Sequence, residues 1–505
     1  MTIRTVSGPT DRVVVVGAGF AGLAAALHLA GRGREVVVLE RSGVPGGRAG
    51  RHTIDGHHFD TGPSVLTMLD VIDETFAAVG ADRSELLELD ELDPAYETRF
   101  ADGSLLRVHR DADEMAQAVR EFAGPDEAAG YLRLREWLQR LYRIEFDQFI
   151  AANYDSPLSM LSPALAAVVA AGGFRRLDRM VGRFLRDERL RRVFTFQSLY
   201  VGVAPQTALA LYGVIAYMDT VAGVYFPRGG IAALPDAMAQ AASAAGVTFR
   251  YGAEVDALER SGSRVRAVHT SDGVRHECDA VVLTTELPVS YRLLARPTRR
   301  PLALKPAPSA FVVHLGVNKR LPGIAHHTLS FGEAWRSTFS ELIDEGQLMR
   351  DPSLLVTRPT ATDPRLAPPS QETLSILAPV PNLNRGVFNW DRDGDRYAAE
   401  LIALTEQRLG TEFASAITVR HLLTPADWAR QDMVAGTPFA WSHTFLQTGP
   451  FRPGNFPRGT DNVVLAGGGT VPGVGVPTAL LSGRLAADRI TGTTVRRPAA
   501  AKETA

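Results

Sequence analysis

Three glycines near the start of the sequence stand at the spacing of a nucleotide-binding loop. Gly17, Gly19 and Gly22 form the pattern G-x-G-x-x-G, and an acid, Glu40, follows the next apolar segment. In this arrangement the first glycine permits a tight turn, the second lets the backbone approach a pyrophosphate, and the third lets helix and strand pack closely. The acid stands where a carboxylate accepts hydrogen bonds from a ribose. These residues therefore predict a dinucleotide site.

The segments around these residues have the character needed to position them. Val13–Val16 is an apolar run typical of a buried strand, and apolar residues at helical spacing follow over Leu23–Leu29. A second apolar run, Glu35–Leu39, leads to the acid. The free N–H groups at the start of the helix would face the phosphates. The order strand, glycines, helix, strand and acid indicates a Rossmann-type unit rather than an isolated glycine pattern.

The same stretch has two other interpretations. Val13–Gly31 is nearly apolar over about the length of a membrane span or of the apolar part of a signal peptide. Against both stand the glycine spacing, the position of His28 inside the run, and the lack of a basic leader or a small-residue cleavage site. We therefore expect a folded nucleotide-binding segment.

A glycine pair and an arginine after the ribose acid distinguish between cofactors. Pro45-Gly46-Gly47-Arg48 resembles the extended fingerprint of the flavoprotein amine oxidase superfamily, in which this arginine lies near the flavin. No second G-x-G-x-x-G follows a strand, which speaks against an NAD(P)H-dependent enzyme. FAD is the expected cofactor, ahead of NAD.

A second glycine-rich stretch lies near the end of the chain. Val463–Leu465 has the character of a strand, Gly467–Gly469 follow it, and Val474–Pro477 open a helix. Glycines at the carboxyl edge of a sheet avoid a collision between side chains and a flat flavin ring. A glycine-rich turn without a ligand is the alternative, and the N-terminal fingerprint weighs against it.

The composition limits the classes of function. With 505 residues the chain is too long for one simple domain, and 45% hydrophobic with 22% charged residues describes a soluble globular protein. The net charge of −2 gives no general attraction to nucleic acid. The single cysteine, Cys278, excludes intrachain disulfides and cysteine-based metal sites. We expect no metal site, an inert thiol and a reducing, cytoplasmic setting.

The chain divides into a discontinuous nucleotide-binding domain with two additions. We predict an α/β fold, in which a Rossmann-type FAD-binding domain carries a substrate-binding lobe and a mostly helical insertion that contacts a membrane in one interpretation. The predicted boundaries are 1–110, 223–296 and 456–492 for the FAD-binding parts, 111–222 for the helical insertion, 297–455 for the substrate-binding lobe and 493–505 for a disordered tail.

The helical insertion contains an unusual basic stretch. An apolar segment, Met160–Ala171, precedes eight arginines between Arg175 and Arg192. One interpretation is an ordinary exposed helix face in an arginine-rich protein. The other is an interfacial element over 160–192, in which apolar residues enter a bilayer and arginines meet anionic headgroups. The apolar part is too short to span a membrane.

Motifs along nearly the whole chain carry a resemblance to one family. The sequence resembles the bacterial phytoene desaturases (carotenoid dehydrogenases), FAD-dependent members of the amine oxidase superfamily. Its motifs are GAGFAGL, PGGRAG and FDTGPSVLT near the start, FTFQSLYVG (194–202) and GVYFPRGG (223–230) in the middle, and AHHTLSFG (325–332), LAPVPNL (377–383) and NVVLAGGGTVPGVGVP (462–477) later. A polar residue is usual where this chain has Val471, a departure that concerns a polar contact there and not flavin binding.

The resemblance implies oxidative desaturation of 15-cis-phytoene, a long colourless polyene, towards lycopene. Each step would pass a hydride from an allylic carbon to FAD and a proton to solvent or a base. A strong protein base is not required by this scheme, because a conjugated chain spreads the developing positive charge. The implied partners are the carotenoid, the membrane surface and a quinone or oxygen as electron acceptor. The implied location is cytoplasmic, peripherally on the inner face of the cell membrane.

The expected site residues lie in the same motifs. Candidates for catalysis are Arg228, with anchoring of backbone or phosphate as its alternative, and His327 of the pair His326-His327, with structural hydrogen bonding as its alternative. Aromatic residues that line a tunnel, or else form plain core, are Phe194, Phe196, Tyr200, Tyr225 and Phe226. The expected FAD contacts are Gly17, Gly19, Phe20, Ala21, Gly22, Glu40, Arg41, Gly46, Gly47, Arg48, Gly62, Pro63, Ser64, Val65, Val255, Gly468, Gly469, Thr470, Gly475, Val476 and Pro477.

Other functions share this fold. A carotenoid isomerase, a ketolase-like oxidase and an amine oxidase are the nearest alternatives. A flavoprotein that binds isoprenoids without catalysis is an alternative from another class. Reduction of the flavin by added substrate separates an enzyme from such a binding protein.

Overall fold

The computed structural model describes residues 3–295 and 304–493 of the chain. Within these ranges the strands are, in chain order, β1 (Arg12–Val16), β2 (Glu35–Glu40), β3 (Arg51–Ile54), β4 (His57–Asp60), β5 (Leu89–Glu91), β6 (Tyr96–Arg99), β7 (Leu105–Val108), β8 (Tyr225–Pro227), β9 (Thr248–Tyr251), β10 (Val255–Ser261), β11 (Arg264–Thr270), β12 (Arg275–Glu277), β13 (Ala280–Leu283), β14 (Ser309–Val317), β15 (His327–Ser330), β16 (Leu354–Thr357), β17 (Glu372–Val380), β18 (Ile417–Leu423) and β19 (Val463–Leu465).

The α-helices follow the same chain order. They are α1 (Phe20–Ala30), α2 (Leu69–Ala77), α3 (Arg83–Leu86), α4 (Ala112–Ala123), α5 (Pro125–Glu145), α6 (Pro163–Ala170), α7 (Leu177–Val181), α8 (Glu188–Val193), α9 (Gly213–Thr220), α10 (Ala233–Ala244), α11 (Leu287–Leu293), α12 (Arg336–Phe339), α13 (Trp390–Leu409), α14 (Pro425–Arg430) and α15 (Val476–Thr491). Short 3-10 and π segments, such as Phe196–Val201 and Phe146–Ile150, connect several of them.

A five-stranded parallel sheet, in the order β19-β13-β1-β2-β9, forms the centre of the nucleotide-binding domain. β1 lies in the middle because its valines are buried on both faces, as central parallel strands require. Val13 and Val15 face α1, α10 and α15, whereas Val14 and Val16 face the antiparallel sheet β10-β11-β12. The strands come from the three separated stretches that the sequence assigned to one domain. The predicted α/β fold class is therefore confirmed.

A seven-stranded sheet, in the order β18-β14-β17-β16-β15-β6-β7, forms the lobe that the sequence predicted to bind the substrate, called the substrate lobe below. β14 is buried along its whole length and pairs antiparallel with β17 and β18. On one face, Trp390 and Tyr397 of α13 pack their rings against Phe311 of β14.

The hairpin β6–β7 differs from the predicted domain boundaries. The boundary at residue 110 assigned these strands to the nucleotide-binding domain. In the structure β6 pairs in parallel with β15, so the hairpin extends the sheet of the substrate lobe. A hairpin is recognisable from its own residues, but the sheet that it joins is decided by a partner more than 200 residues away in the chain.

The helices α4 to α9 form the insertion that the sequence predicted as mostly helical. α4 begins where the Asp111 carboxylate accepts the backbone N–H groups of Asp113 and Glu114, and α5 begins with Pro125. The arginine-rich stretch does not form one continuous helix face. Together with the apolar segment before it, the stretch divides into the short helices α6, α7 and α8, with the pair Gly172-Gly173 and the single Gly182 at the breaks.

Two buried arginines of α15 hold this insertion against the nucleotide-binding domain. Arg489 pairs with Asp155, and Arg484 pairs with Glu74 at 2.6 Å and donates to the carbonyl of Ala151 at 2.9 Å. An arginine that is removed from water needs such partners, because an unpaired buried charge is strongly destabilising. The carboxyl end of the chain thus fixes the orientation of the insertion.

None of the helices in the described ranges is both long and apolar enough to cross a bilayer. The predicted tail beyond residue 493 and the start of the predicted substrate lobe at residue 297 lie outside the described residues.

Gly483 marks the closest approach of α15 to α1. A Cβ at this position would lie 2.8 Å from the Cβ of Ala24 and closer still to the backbone of Ala21. Replacing glycine by alanine inside a helix ordinarily stabilises it by about 1 kcal/mol. At Gly483→Ala we expect the opposite sign, a loss of about 1–3 kcal/mol, because the two helices must separate. Urea denaturation of the purified protein measures the change.

Gly454→Ala is the matched control, since nothing lies within 4 Å of a Cβ at that position. Its unfolding midpoint should equal or slightly exceed that of the parent. An unchanged midpoint for Gly483→Ala would show that α1 and α15 do not approach as closely as described.

Candidate active site

The glycine loop between β1 and α1 lies at the carboxyl edge of the parallel sheet. Gly17 has φ +103°, a conformation that side chains disfavour, and a Cβ on Gly22 would overlap the carbonyl of Gly17. The Thr284 hydroxyl donates to the carbonyl of Val16 at 2.7 Å and closes the loop from the other side. The first turn of α1 has neither a side-chain cap nor an acid. Its N–H groups are therefore available to an anion.

Glu40 is buried at the end of β2 and braces this loop. Its carboxylate accepts the N–H of Ala18 at 2.6 Å and that of Ser42 at 2.8 Å. Its carbonyl accepts the N–H of Ala253 at 2.8 Å, which brings the predicted contact Val255, at the start of β10, to the same edge. Glu40 thus supports the glycine loop, and its hydrogen bond to a ribose stays a prediction.

Arg41 points in another direction. Its guanidinium pairs with Asp432 at 2.7 Å and donates to the carbonyl of Gln431 at 3.2 Å, both on the substrate lobe. This side chain therefore connects the two lobes at the surface, and only its backbone stays beside Glu40.

The Gly46–Arg48 loop packs directly on the glycine loop. Gly46 donates its N–H to the carbonyl of Ala18 at 2.9 Å, and a Cβ on Gly62 would overlap the carbonyl of Arg48. The Arg48 guanidinium pairs with Glu286, which follows β13. Yet Arg48 Nε and Glu286 Oε2, both buried, have no partner within the described residues. Such orphaned polar atoms indicate that a polar group of a ligand belongs here.

The second glycine loop, between β19 and α15, is tied down from two sides. Gly467 donates its N–H to the Ser482 hydroxyl at 3.0 Å. The buried Arg452 donates to the carbonyls of Gly468 at 2.6 Å and Thr470 at 2.9 Å. A Cβ on Gly468 would lie 3.9 Å from the Arg48 guanidinium, so the two glycine-rich regions meet.

The residues at this edge fit FAD. α15 begins after Gly475 without a side-chain cap or an acid in its first turn, as α1 does, so two uncapped helix N-termini share one sheet edge with Arg48. The structure brings together, within these two loops and their neighbours, Gly17, Gly19, Phe20, Ala21, Gly22, Glu40, Gly46, Gly47, Arg48, Gly62, Gly468, Gly469, Thr470, Gly475, Val476 and Pro477. Their individual contacts to the cofactor stay predictions.

The segment Pro63-Ser64-Val65 leads from this edge toward the aromatic residues. The next residue, Leu66, accepts the N–H of Tyr225 at 2.8 Å. Phe226 turns to the opposite face of β8 and packs edge-on against His326, with ring centroids 4.5 Å apart.

The predicted tunnel residues do not form one continuous group. Phe196 contacts Tyr200 and Tyr96, with ring centroids 5.8 Å and 6.1 Å apart. Phe194 instead packs on Tyr131 of α5, 5.7 Å away, and so belongs to the packing of the helical insertion. Phe194 lies at the end of α8 and Phe196 begins the next 3-10 segment, so the two side chains point to different sides. Their spacing in the sequence did not predict this difference.

The side chains of the two catalytic candidates, Arg228 and His327, contact other protein groups that give each of them a structural role. Arg228 is exposed and pairs with Glu88 and Asp90, both at 3.0 Å, so its charge is used at the surface and not at a reacting carbon or a phosphate. His327 is fully buried, and Nδ1 lies 3.2 Å from the Thr357 hydroxyl. Burial lowers the pKa of His327 to about 3, so the ring is neutral and a weak base.

Sequence reasoning missed several residues of this edge. Thr284 and Glu286 follow β13 directly, and a polar residue after a buried parallel strand is a signal that could have identified them. Arg452 and Ser482 reach the second glycine loop from a turn and from the middle of α15, and no local pattern marks them.

Comparison with known proteins gives consistent matches. The model of the family described as flavin containing amine oxidoreductase matches residues 20–491. A phytoene dehydrogenase of Streptomyces griseus is 59% identical over 495 residues, covering 98% of this chain and 97% of that protein. A zeta-carotene-forming phytoene desaturase of Myxococcus xanthus is 36% identical and covers 95% and 93%. A lycopene-forming phytoene desaturase of a Paracoccus species is 30% identical and covers 94% and 96%.

Solved structures share the fold at low sequence identity. A putrescine oxidase with bound putrescine superposes with a TM-score of 0.60 at 16% identity, covering 96% of this chain and all of that one. An oxidoreductase of Methanosarcina mazei also gives a TM-score of 0.60 at 16% identity, covering 94% and 98%. These likenesses concern the fold alone.

Glu40→Ala should weaken retention of FAD. The substitution removes the acceptor for a ribose and two hydrogen bonds that brace the glycine loop. Hydrogen bonds to a charged group contribute about 1.5–3 kcal/mol each, so we expect the dissociation constant of FAD to rise by about 10- to 100-fold. Fluorescence titration of the apoprotein with FAD measures it. Glu40→Gln, which keeps one acceptor oxygen, should lie between parent and Glu40→Ala. Equal affinity in all three proteins would contradict this role.

Proposed function

The chain belongs to the family of flavin-containing amine oxidoreductases, and we propose that within this family it desaturates phytoene towards lycopene. As a family member it is an oxidoreductase, and its cofactor is FAD. The observation that carries the proposal is the 59% identity to a phytoene dehydrogenase over nearly the full length of both chains. The bound flavin supplies the two-electron oxidation.

The interior around the predicted tunnel residues suits a hydrocarbon. Aromatic rings of Phe196, Tyr200 and Phe331 pack there, with ring centroids about 6 Å apart. Burial lowers the pKa of both His326 and His327, which keeps their rings uncharged among these aromatic groups. Uncharged, water-excluding walls would hold a C–H bond of a polyene in place without offering a competing polar ligand.

The end product and the electron acceptor are the finer parts of the proposal. Relatives are named for zeta-carotene and for lycopene as products, so the number of steps differs between similar chains. We take lycopene as the product and a quinone or oxygen as the acceptor. The nearest alternative is oxidation of an amine. No contact among the described residues favours that reaction over desaturation.

Anaerobic absorbance spectroscopy tests the proposal. Purified, FAD-loaded protein is mixed with 15-cis-phytoene in liposomes. We expect the flavin bands to bleach while the spectrum of a visible polyene grows, and the final band positions count the desaturation steps. Flavin that stays oxidised, with phytoene unchanged even after a quinone is added, would refute desaturation. More desaturated carotenoids and then amines are the next substrates in that case.

We further propose that the protein binds peripherally to the inner face of the membrane through an apolar rim. The rim consists of large apolar side chains that are 41–69% exposed and come from two segments, 158–174 and 445–451. They are Leu158, Leu161, Val169, Phe174, Phe445, Leu446 and Phe451. The two segments are neighbours, because the adjacent residues Leu211 and Tyr212 contact one segment each. Leu211 donates its N–H to the carbonyl of Gly173, and the Tyr212 hydroxyl forms a hydrogen bond with the Thr448 hydroxyl. An exposed group of apolar side chains of this kind is typical of a site that binds another protein or a membrane.

Charge beside the rim favours a lipid surface with anionic headgroups. Exposed arginines follow the first segment directly: Arg175, Arg176, Arg179, Arg183 and Arg186. Among the other three of the eight, Arg189 is used in ion pairs with Asp102 and Asp187. The rim also adjoins the second glycine loop, because Arg452, next to Phe451, donates to Gly468 and Thr470. A lipid-soluble substrate could thus pass from the bilayer to the FAD edge by a short path.

Co-sedimentation with vesicles tests membrane binding. Phe445→Ser with Leu446→Ser should lower binding to all vesicles by about 3 kcal/mol, near 100-fold, because two large apolar side chains no longer insert. Replacing Arg175, Arg179, Arg183 and Arg186 by glutamate should lower binding to anionic vesicles only, at about 1 kcal/mol for each arginine. Val387→Ser, at a fully exposed valine outside the rim, is the control. Equal pelleting of all these proteins would refute the rim.

A further inference from the structure

An aspartate is buried in the last turn of α9, where the helical insertion meets the sheet of the substrate lobe. Asp219 is only 3% exposed, and its Oδ2 accepts the Tyr96 hydroxyl of β6 at 3.3 Å. The Gln197 amide is its other hydrogen-bonding neighbour. Within the described residues no arginine, lysine or histidine pairs with this carboxyl group. Removing a carboxyl group from water without a cation is unfavourable, so its position calls for an explanation.

The surroundings of Asp219 are those predicted to hold the substrate. Tyr96 contacts the ring of Phe196 at 6.1 Å and that of His327 at 5.7 Å, and the Tyr200 hydroxyl lies beside it. Two buried polar atoms close by in the chain or in the ring contacts have no partner in the described residues: Ser198 Oγ, next to Gln197, and His327 Nε2, on the ring that Tyr96 contacts.

We propose that the Asp219 carboxylate accepts the proton released when the hydrocarbon is desaturated. The inference rests on the proposed function. One methylene carbon loses one of its two hydrogens as hydride to the flavin. The neighbouring methylene carbon loses one hydrogen as a proton to Asp219. The electron pair of the second C–H bond becomes the π bond of the new alkene. The hydrocarbon is oxidised by two electrons, the flavin is reduced by two, and Asp219 becomes the neutral acid.

The pKa of Asp219 suits this role. Burial raises it to about 7, and the hydrogen bonds from Tyr96 and Gln197 lower it only in part. A carboxylate with an ordinary pKa near 3.8 would be a poor proton acceptor at neutral pH, whereas one near 7 matches the optimum for general base catalysis. The ionisable groups that interact with it are the phenols of Tyr96 and Tyr200, so no neighbouring cation in the described residues offsets the effect of burial.

Asp219→Asn is the deciding variant, since asparagine keeps the shape and can still accept the Tyr96 hydroxyl. General base catalysis contributes about 10²–10⁴-fold, so the anaerobic rate of flavin bleaching by phytoene should fall at least 100-fold. FAD content and vesicle binding should equal those of the parent. Asp219→Glu should recover part of the rate. Asp126→Asn, an exposed acid on the same insertion, is the matched control and should bleach at the parental rate.

Infrared titration gives a readout that does not depend on turnover. The C=O stretch of a protonated carboxyl group should disappear as the pH of FAD-loaded parent rises through about 7, and Asp219→Asn should lack this band. Tyr96→Phe removes a hydrogen bond that lowers the pKa, so its band should persist to higher pH. If Asp219→Asn does not fold, the upward shift of the band in Tyr96→Phe assigns the band to Asp219, because the Tyr96 hydroxyl donates to this carboxylate.

The outcomes separate the inference from the function on which it rests. Parental bleaching by Asp219→Asn, or the absence of a carboxyl group that titrates near pH 7, would overturn the role of Asp219 while phytoene desaturation stands. If the parent itself neither bleaches nor changes phytoene, the proposed function fails and the proton-acceptor role fails with it.

Discussion

The close approach of backbone segments at the carboxyl edge of the parallel sheet is the constraint on which the rest of the structure depends. Gly22 presses on the carbonyl of Gly17, Gly62 on that of Arg48, and Gly483 of α15 on the backbone of α1. No side chain larger than hydrogen fits at these contacts without displacing backbone. They bring the N-termini of α1 and α15 to one edge, where partial positive charge from both helices meets the same ligand. The position of the flavin edge therefore follows from steric contacts rather than from long-range electrostatics.

The same helix carries this constraint to the rest of the chain. α15 begins at the second glycine loop and, two to four turns later, binds the helical insertion through Arg484 and Arg489. The insertion and the FAD edge are thus held by one rigid element, although they are distant in sequence. Two-electron chemistry on a C–H bond needs such positional stability, since a shift of the order of 1 Å can cost about 100-fold in rate.

The features that could be predicted from the sequence are those whose residues are close together in the chain. The strand–glycine–helix unit, the ribose acid and the C-terminal glycine run each lie within about 30 residues, so their geometry is encoded by neighbouring residues. The predictions failed or stayed incomplete where partners are distant. The hairpin β6–β7 joins β15, Arg228 pairs with Asp90 on β5, and Phe194 turns toward α5. Neither Asp219 in a short helix nor Tyr96 in a hairpin carries a local pattern that indicates their meeting across 123 residues.

An interior that binds a hydrocarbon and also takes up a proton must satisfy two opposing demands. Cationic partners would stabilise a buried carboxylate, but they would also lower its pKa and remove its basicity. The structure uses neutral donors at Asp219 instead, a phenol and an amide, while burial keeps the nearby histidines uncharged. Several arginines of the insertion, such as Arg175 and Arg179, lie at the surface, and Arg189 forms an ion pair with Asp187. This separation of charge keeps cations away from the Asp219 carboxyl group and leaves it basic enough to accept a proton.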